Sequence, residues 1–280
     1  MICEAHAKVN LTLEVLGRRA DGYHAIRSLL VPVSLSDTLE FEDSGGITTD
    51  TGYAHDLVAK AAEVLRDTAG IRAGMHCRIR KRIPAGGGLG GGSADAAAAL
   101  VALNDRWGLG FSLDRLVALA ALVGSDVPAL VHGGAVLMEG RGELVTPLRL
   151  PGDASFPRLH FVLANPHVHC PTAEVFAHCT PRVTNDLSIV YNMQNALASG
   201  DLSRIASALA NDLQAPACRL YPPVAEALGL LSEAGAIGAA VSGSGSTVFG
   251  LVPDEAQGRK IAALLNAQGL SAWSVHTIVP

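Results

Sequence analysis

From Ala5 to Val15 apolar and polar residues alternate: Ala5, Ala7, Val9, Leu11, Leu13 and Val15 fall on one side, His6, Lys8, Asn10, Thr12 and Glu14 on the other. Period 2 marks a half-buried β-strand, and it sets Lys8 and Asn10 side by side on the polar face. Asp21-Gly22 supplies a turn, and Ile26 to Leu35 predicts the next strand. The period then changes. His55 to Ala69 places Leu57, Ala61, Val64 and Leu65 at helical intervals, with Gly70 as the cap. Cys77 to Ile83 alternates again, with Cys77, Ile79, Lys81 and Ile83 opposite Arg78, Arg80 and Arg82.

Pro84-Ala85 leads into Gly86-Gly87-Gly88-Leu89-Gly90-Gly91-Gly92-Ser93, and an alanine-rich helix is predicted from Ser93 to Leu103, with Ser93 at its cap. Leu113 to Val123, closed by Gly124, predicts another helix, and Ser125-Asp126-Val127-Pro128 opens a third. Leu150-Pro151-Gly152-Asp153 breaks the pattern and sets the expected boundary between an N-terminal nucleotide and phosphate-loop domain, 1–152, and a C-terminal domain, 153–280. Beyond it come a strand over Leu159 to Ala164, several helices, and the loop Ser242 to Thr247 between apolar strands. Strands precede helices in both halves. The expected class is therefore α+β, two lobes with largely antiparallel sheets and a cleft between them, rather than a doubly wound sheet.

Composition narrows the function. With 49% hydrophobic and 17% charged residues the chain has material for a sizeable core, which excludes a disordered protein. A net charge of −5 argues against bulk binding to nucleic acid or anionic membrane. The five cysteines are scattered without a CxxC pair, so neither a disulfide framework nor a zinc site is expected. Reduced thiols, the absence of a signal-like start and apolar runs as short as Ala96 to Leu103 fit a cytoplasmic protein.

Glycines strung before a helix let the backbone approach a ligand closely, and their N–H groups join those of the first helical turn on an anion, most naturally a phosphate. A flexible linker would not run straight into so strong a helix former. Gly86-x-Gly88-x-x-Gly91 matches a dinucleotide fingerprint, but the strand before it is basic rather than apolar, and no acid ends a second parallel strand. No GxxxxGK[ST] loop and no protein-kinase HRD or DFG signature occurs. The phosphate site belongs to another class.

Three segments together resemble the GHMP small-molecule kinases: Ala7-Lys8-Val9-Asn10-Leu11, the loop Ile83 to Ala94, and Val241-Ser242-Gly243-Ser244-Gly245-Ser246-Thr247-Val248-Phe249. Arg18 with Asp21-Gly22-Tyr23-His24, the triple-glycine loop, Gly124 to Pro128 and Asn211-Asp212-Leu213 resemble the branch acting on CDP-methylerythritol. Two departures stand out: Asp56 where the family often has Asn, and the stretch after Phe176, through Cys179 and Pro181 to Asn185, that follows no family pattern.

The resemblance implies an ATP-dependent kinase with Mg²⁺ and a small-molecule acceptor, a monomer or homodimer. Its residue roles transfer position by position. Pro84, Gly86, Gly87, Gly88, Leu89, Gly90, Gly91, Gly92, Ser93 and Ala94 would cradle the ATP phosphates, with Lys81 as a phosphate or ribose contact and Asp56 beside the adenine. Asp126 would orient or deprotonate the hydroxyl and Lys8 would stabilise the charge. Tyr23 and His24 would hold cytosine, Tyr23 opposite Phe176, with Thr172 closing the other side. Asn10 would bind the acceptor's hydroxyls or diphosphate, and Gly245 is counted on the substrate side, bracing the loop with Ser244 and Thr247. No carboxylate stands out as a metal ligand; Asp95 reads as a helix-dipole residue. Blander roles compete: Ser125 or Asp126 as a helix cap, Lys8 and Lys81 on solvated strand faces, Tyr23 covering a sheet edge, Thr172 as an N-cap and Phe176 as core. A homoserine- or mevalonate-type kinase, a non-catalytic nucleotide sensor and a nicotinamide dehydrogenase are the alternative functions.

Overall fold

A computed structural model describes residues 1–51, 56–182 and 186–278. β1 (Ile2–Arg18) and β2 (His24–Asp43) form an antiparallel pair with Lys8 opposite Pro32 and Asn10 opposite Leu30, and β3 (Ile47–Thr49) follows. β2 outruns the expected Ile26–Leu35 because Ser36 and Asp37 break the apolar pattern without breaking the strand; both are buried.

α1 (Leu57–Ala69) is capped at its start by the Asp56 carboxylate, which accepts from the Val58 and Ala59 N–H groups, and at its end by left-handed Gly70. His55, the expected first residue of that helix, lies outside the described residues. β4 (Met75–Arg80) stops three residues short of the expected Ile83. The N–H groups of Arg82 and Ile83 donate to the Asp37 carboxylate instead of to a neighbouring strand.

α2 (Gly91–Arg106) starts at Gly91 behind a left-handed Gly90, so Ser93 lies inside the first turn and does not cap it. α3 (Leu113–Val123) is capped by Ser112, and α4 (Val127–His132) begins directly after Asp126. β5 (Val136–Gly140) pairs with β2 and with β6 (Leu144–Pro147).

In the second half come β7 (His160–Asn165), α5 (Thr172–Ala177), α6 (Ser188–Ser199), α7 (Leu202–Ala208), β8 (Ala210–Asn211), α8 (Gln214–Leu220), α9 (Pro222–Glu233), β9 (Gly238–Val241), β10 (Val248–Val252), α10 (Glu255–Ala267) and β11 (Ser271–His276). Two sheets result. One runs β3-β4-β2-β1-β8 with β5 and β6 attached; its pairings are antiparallel except β3 with β4 and β1 with β8. The other, β11-β7-β10-β9, is antiparallel throughout and carries α9 and α10. The α+β class with largely antiparallel sheets stands, and among the described residues no helix is long and apolar enough to cross a membrane.

One local expectation fails informatively. β1 is covered on both faces: Lys8 is 3% exposed, and Asn10, Thr12 and Glu14 are buried too. The apolar side packs on α2, while the glycine loop roofs the polar side, where the Lys8 N–H donates to the Leu89 carbonyl at 3.1 Å. A solvated role for Lys8 is thereby removed.

Candidate active site

A cavity of about 670 Å³ opens where the glycine loop, the polar side of β1, the start of α4 and the Ser242–Thr247 loop meet. Its arch is held by its own carbonyls. Gly87 O accepts from the Thr247 N–H at 3.1 Å, Gly88 O from the Ser242 hydroxyl at 3.0 Å, and Leu89 O from Lys8 N. With the carbonyls tied back, the first-turn N–H groups of α2, which have no partner inside the helix, are left for an anion. Only glycine fits at Gly88: φ is +76°, and a Cβ there would lie 2.1 Å from the Ser242 carbonyl oxygen. At Gly90 (φ +69°) a Cβ would press on the Lys8 side chain at 3.2 Å.

Pro84, Gly86, Gly87, Gly88, Gly90, Gly91, Gly92 and Ser93 line the cavity. Leu89 and Ala94 do not. Leu89 is fully buried and anchors the arch to the core, and Ala94 turns to the far side of α2. Gly245 stands behind Gly88, whose Cβ would meet its carbonyl, rather than on the wall.

Lys8 and Asp126 line the same cavity. The Lys8 ammonium donates to Asn10 Oδ1 at 2.7 Å, Asn10 Nδ2 to Ser28 Oγ at 2.7 Å, and Ser28 Oγ to the Thr12 carbonyl at 2.6 Å. This chain fixes the Asn10 amide and through it the amine. Burial pulls the Lys8 pKa below that of an ordinary lysine, and the Asp126 carboxylate pushes it back up. Asp126 occupies the N-cap position of α4 but makes no side-chain cap bond, so its carboxylate is free for the cavity.

Lys81 lies in a charge cluster that the alternation of Cys77 to Ile83 did not announce. Its ammonium bridges Asp37 at 2.5 Å and Asp95 at 2.6 Å. Two carboxylates share one cation here. Asp37 is fully buried and takes two backbone N–H groups besides; Asp95, buried and facing a second carboxylate, has its pKa pushed up to about 7 by burial despite the Lys81 bond. Burial opposes the charge on Lys81 too, but its bonds to Asp37 and Asp95 outweigh that and raise its pKa. Asp95, read from the sequence as a dipole residue, thus lines the cavity as part of a cluster, and its Oδ1 is buried with no partner. The available signal was Asp37, an acid just after the mostly apolar run Leu29 to Leu35. Asp56 also lines the cavity. Burial alone would raise its pKa, but the Thr49 and Thr51 hydroxyls and two N–H groups hold it below the usual carboxylate value.

Phe176 lines the cavity and its ring stacks on that of His24, which does not line it, with centroids 5.1 Å apart and planes at 27°. The expected pairing of Phe176 with Tyr23 is replaced by one with His24. The Tyr23 N–H donates to Asp21 Oδ1, an Asx turn that swings its ring outward, where it is 53% exposed beneath the Arg141 guanidinium. His24, one residue on in β2, takes the other face. Thr172 does not cap α5; its hydroxyl meets that of Ser244 at 3.0 Å, bridging α5 to the second loop. Asn211 Nδ2 donates to the Val241 and Gly243 carbonyls at 2.8 Å each, and Asp212 receives the Val15 N–H and the Arg182 guanidinium. Among the described residues no group of three or more His, Cys, Asp or Glu is placed to hold a metal.

An anion cradle and a buried amine near a carboxylate without a capping bond are parts that transfer of a phosphoryl group to an alcohol can use. Comparison with known proteins agrees. Residues 56–134 match the family model described as GHMP kinases N terminal domain, and residues 193–269 match GHMP kinases C terminal. A relative in Pelotomaculum thermopropionicum, named 4-diphosphocytidyl-2-C-methyl-D-erythritol kinase, is 45% identical over 92% of this chain and 91% of its own. A crystal structure of 4-(cytidine 5'-diphospho)-2C-methyl-D-erythritol kinase superposes with a TM-score of 0.85, 36% identity and 99% coverage of both chains. A homoserine kinase from Cytophaga hutchinsonii, 18% identical and covering 99% of this chain and 95% of its own, shares the fold with a TM-score of 0.71. The chain thus belongs to the GHMP kinase family, alongside its 4-diphosphocytidyl-2-C-methyl-D-erythritol kinases.

Proposed function

We propose that this chain transfers the γ-phosphoryl group of ATP to the 2-hydroxyl of CDP-methylerythritol, giving the 2-phosphate and ADP. The observation that carries the chemistry is the convergence of Lys8, Asp126 and the glycine arch on one cavity. The names of relatives at 36 to 45% identity support the acceptor.

In this reading the ATP phosphates lie under the arch, against the N–H groups of Gly91, Gly92 and Ser93. The acceptor hydroxyl sits between Asp126 and Lys8. Asp126 accepts its proton as the oxygen attacks, a role worth about 10²–10⁴ in rate. The Lys8 ammonium holds Asp126 ionised and stabilises charge on the transferring group. Cytosine packs on the His24–Phe176 pair, whose stacked rings already present an aromatic surface. Asn10 serves the acceptor and, by its bond to Lys8, orients the amine. Lys81 serves the donor side, kept in place by Asp37 and Asp95.

Mg²⁺ would arrive with the triphosphate and neutralise its charge. The Ser93 hydroxyl and the unpartnered Asp95 oxygen are two oxygens near that region that would hold it; phosphate and water would supply the remainder of an octahedral shell. The two halves, 1–152 and 153–280, would act as lobes around the cleft. The enzyme would work in the cytoplasm on small molecules rather than nucleic acid, as a monomer or homodimer.

A coupled ADP-release assay with CDP-methylerythritol, homoserine and mevalonate side by side tests this. Turnover with the first alone is expected. Equal or faster turnover of either other alcohol, or ATP binding with no turnover on any of them, overturns it.

A further inference from the structure

A second cavity, of about 500 Å³, lies behind α2 and shares no lining residue with the first. Four elements wall it, one of them β2 through Leu30 and Pro32. α2 contributes Ala94, Ala98, Val101 and Asp105, all on one face of the helix; the start of β1 contributes Glu4 and His6; α4 contributes Ala129 to Val131. Those last three elements carry the catalytic parts on their other ends or faces. Lys8 follows His6 by two residues, Asp126 immediately precedes α4, and the arch runs directly into the first turn of α2.

The size suits a small organic molecule, since such sites span about 300–1,000 Å³. The walls are mostly aliphatic, which asks for an apolar body. Charge decides the rest. The ionisable lining groups are Glu4, Asp105, His6 and the N-terminal amine. That amine is engaged by the Phe41 carbonyl at 3.0 Å, and His6 sits 3.8 Å from Glu4. Cys3, also on the wall, has its thiol pKa pushed up to about 11 by burial and stays neutral. The lining carboxylates, Glu4 beside His6 and Asp105, are both exposed, a setting that favours a cationic head and disfavours carboxylates and phosphates.

We infer that this cavity binds a small amine with an apolar body, and that its occupancy alters the affinity of the kinase site for ATP through α2, β1 and α4. Any such coupling is reciprocal. The inference rests on the ATP-binding reading above, but its first test does not need turnover or an acceptor.

Benzylamine, benzyl alcohol and benzoate are the probes, used on the full chain with saturation-transfer NMR and calorimetry. Benzylamine should bind with a Kd of about 5 mM or tighter, a scale set by its few non-hydrogen atoms. Benzyl alcohol should bind more weakly and benzoate not measurably. Asp105→Asn should weaken benzylamine at least threefold while leaving benzyl alcohol unchanged. Ala98→Phe, which fills the cavity, should abolish both; circular dichroism checks that each variant is folded, and Asp105→Asn stands alone if Ala98→Phe is not. Saturating benzylamine should shift the calorimetric Kd for ATP at least threefold, and not in Ala98→Phe. Equal binding of the three probes, displacement of benzylamine by ATP in strict competition, or an unchanged ATP affinity overturns the inference. So does sedimentation showing a second copy of the chain seated on this face. Failure of ATP to bind without any probe would instead sink the kinase reading.

Discussion

Replacing Gly88 by alanine isolates the arch from the rest of the molecule. The backbone at Gly88 has φ +76°, which costs an L-residue about 1–2 kcal/mol. The new Cβ would lie 2.1 Å from Ser242 O and 2.8 Å from Gly245 O, both backbone atoms that have no rotamer to retreat into. Relief needs a shift of more than an ångström in either loop, comparable to overpacking a core at about 1–3 kcal/mol. That shift also breaks the Ser242 hydroxyl bond to Gly88 O, worth about 1 kcal/mol. The sum is about 3–6 kcal/mol, a large part of the 5–15 typical of a folded protein. Gly92→Ala is the matched control. It sits in the first turn of α2, φ is not left-handed, and its Cβ would have only Leu57 Cδ1 near, at 3.7 Å. Alanine there should be neutral or stabilising by up to about 1 kcal/mol. Urea unfolding at fixed m compares the two, and ATP titration of Gly88→Ala should show at least a tenfold loss of affinity. If Gly88→Ala unfolds at the same midpoint as Gly92→Ala and binds ATP as the unmodified chain does, the arch is not braced as argued.

Lys8→Ala and Asp126→Asn should each lower kcat by about 10²-fold or more with the fold intact by circular dichroism; near-normal rates in both refute their roles. His24→Ala and Phe176→Ala should each raise KM for CDP-methylerythritol about 5- to 100-fold, since stacking a base is worth about 1–3 kcal/mol, with KM for ATP unmoved; Tyr23→Ala should do much less, because its ring faces Arg141. The folded pKa of Asp95 near 7 lies above its ordinary 3.8, so the folded chain holds a proton that the unfolded chain has released between those values. The stability from that proton is complete below about pH 4 and lost as pH rises through 7, on the order of a few kcal/mol. Urea midpoints from pH 4 to 8 should therefore fall in the unmodified chain relative to Asp95→Asn, and parallel curves would count against the shared-cation cluster.

What was legible in the sequence was what is local. Alternation exposed β1, helical spacing exposed α1 and α3, and the glycine run marked the loop that lines the cavity. Lys8 and Asn10 fell side by side because period 2 puts them there, and the Lys8–Asn10 hydrogen bond follows from that register. Failures came where a distant group overrides local pattern. β4 ends early because Asp37, more than forty residues away, captures the Arg82 and Ile83 N–H groups. Asp95 sits at the start of a helix, where a carboxylate is ordinary; only the folded chain brings Lys81 and Asp37 to it. Tyr23 and His24 are adjacent in sequence and face opposite ways, and which ring meets Phe176 turns on one Asx bond.

The same reasoning bears on the arch itself. A run of glycines is permissive, and by itself would sample many shapes at a large entropic cost to any ligand that needs one of them. Here three successive carbonyls, those of Gly87, Gly88 and Leu89, are claimed by Thr247, Ser242 and Lys8. Two of these partners come from the far C-terminal loop and one from the first strand. The last of them is also the residue whose amine lies in the cavity near Asp126, so the strand that positions Lys8 positions the loop with it. Under the proposed function, phosphate binding and phosphoryl transfer would be coupled through one backbone bond. A proline at position 8, which removes the N–H and keeps no amine, would disable both, whereas Lys8→Ala keeps the N–H and should spare ATP affinity while removing turnover. A loss of ATP affinity in Lys8→Ala equal to that in Gly88→Ala would show that the side chain, not the backbone bond, holds the arch.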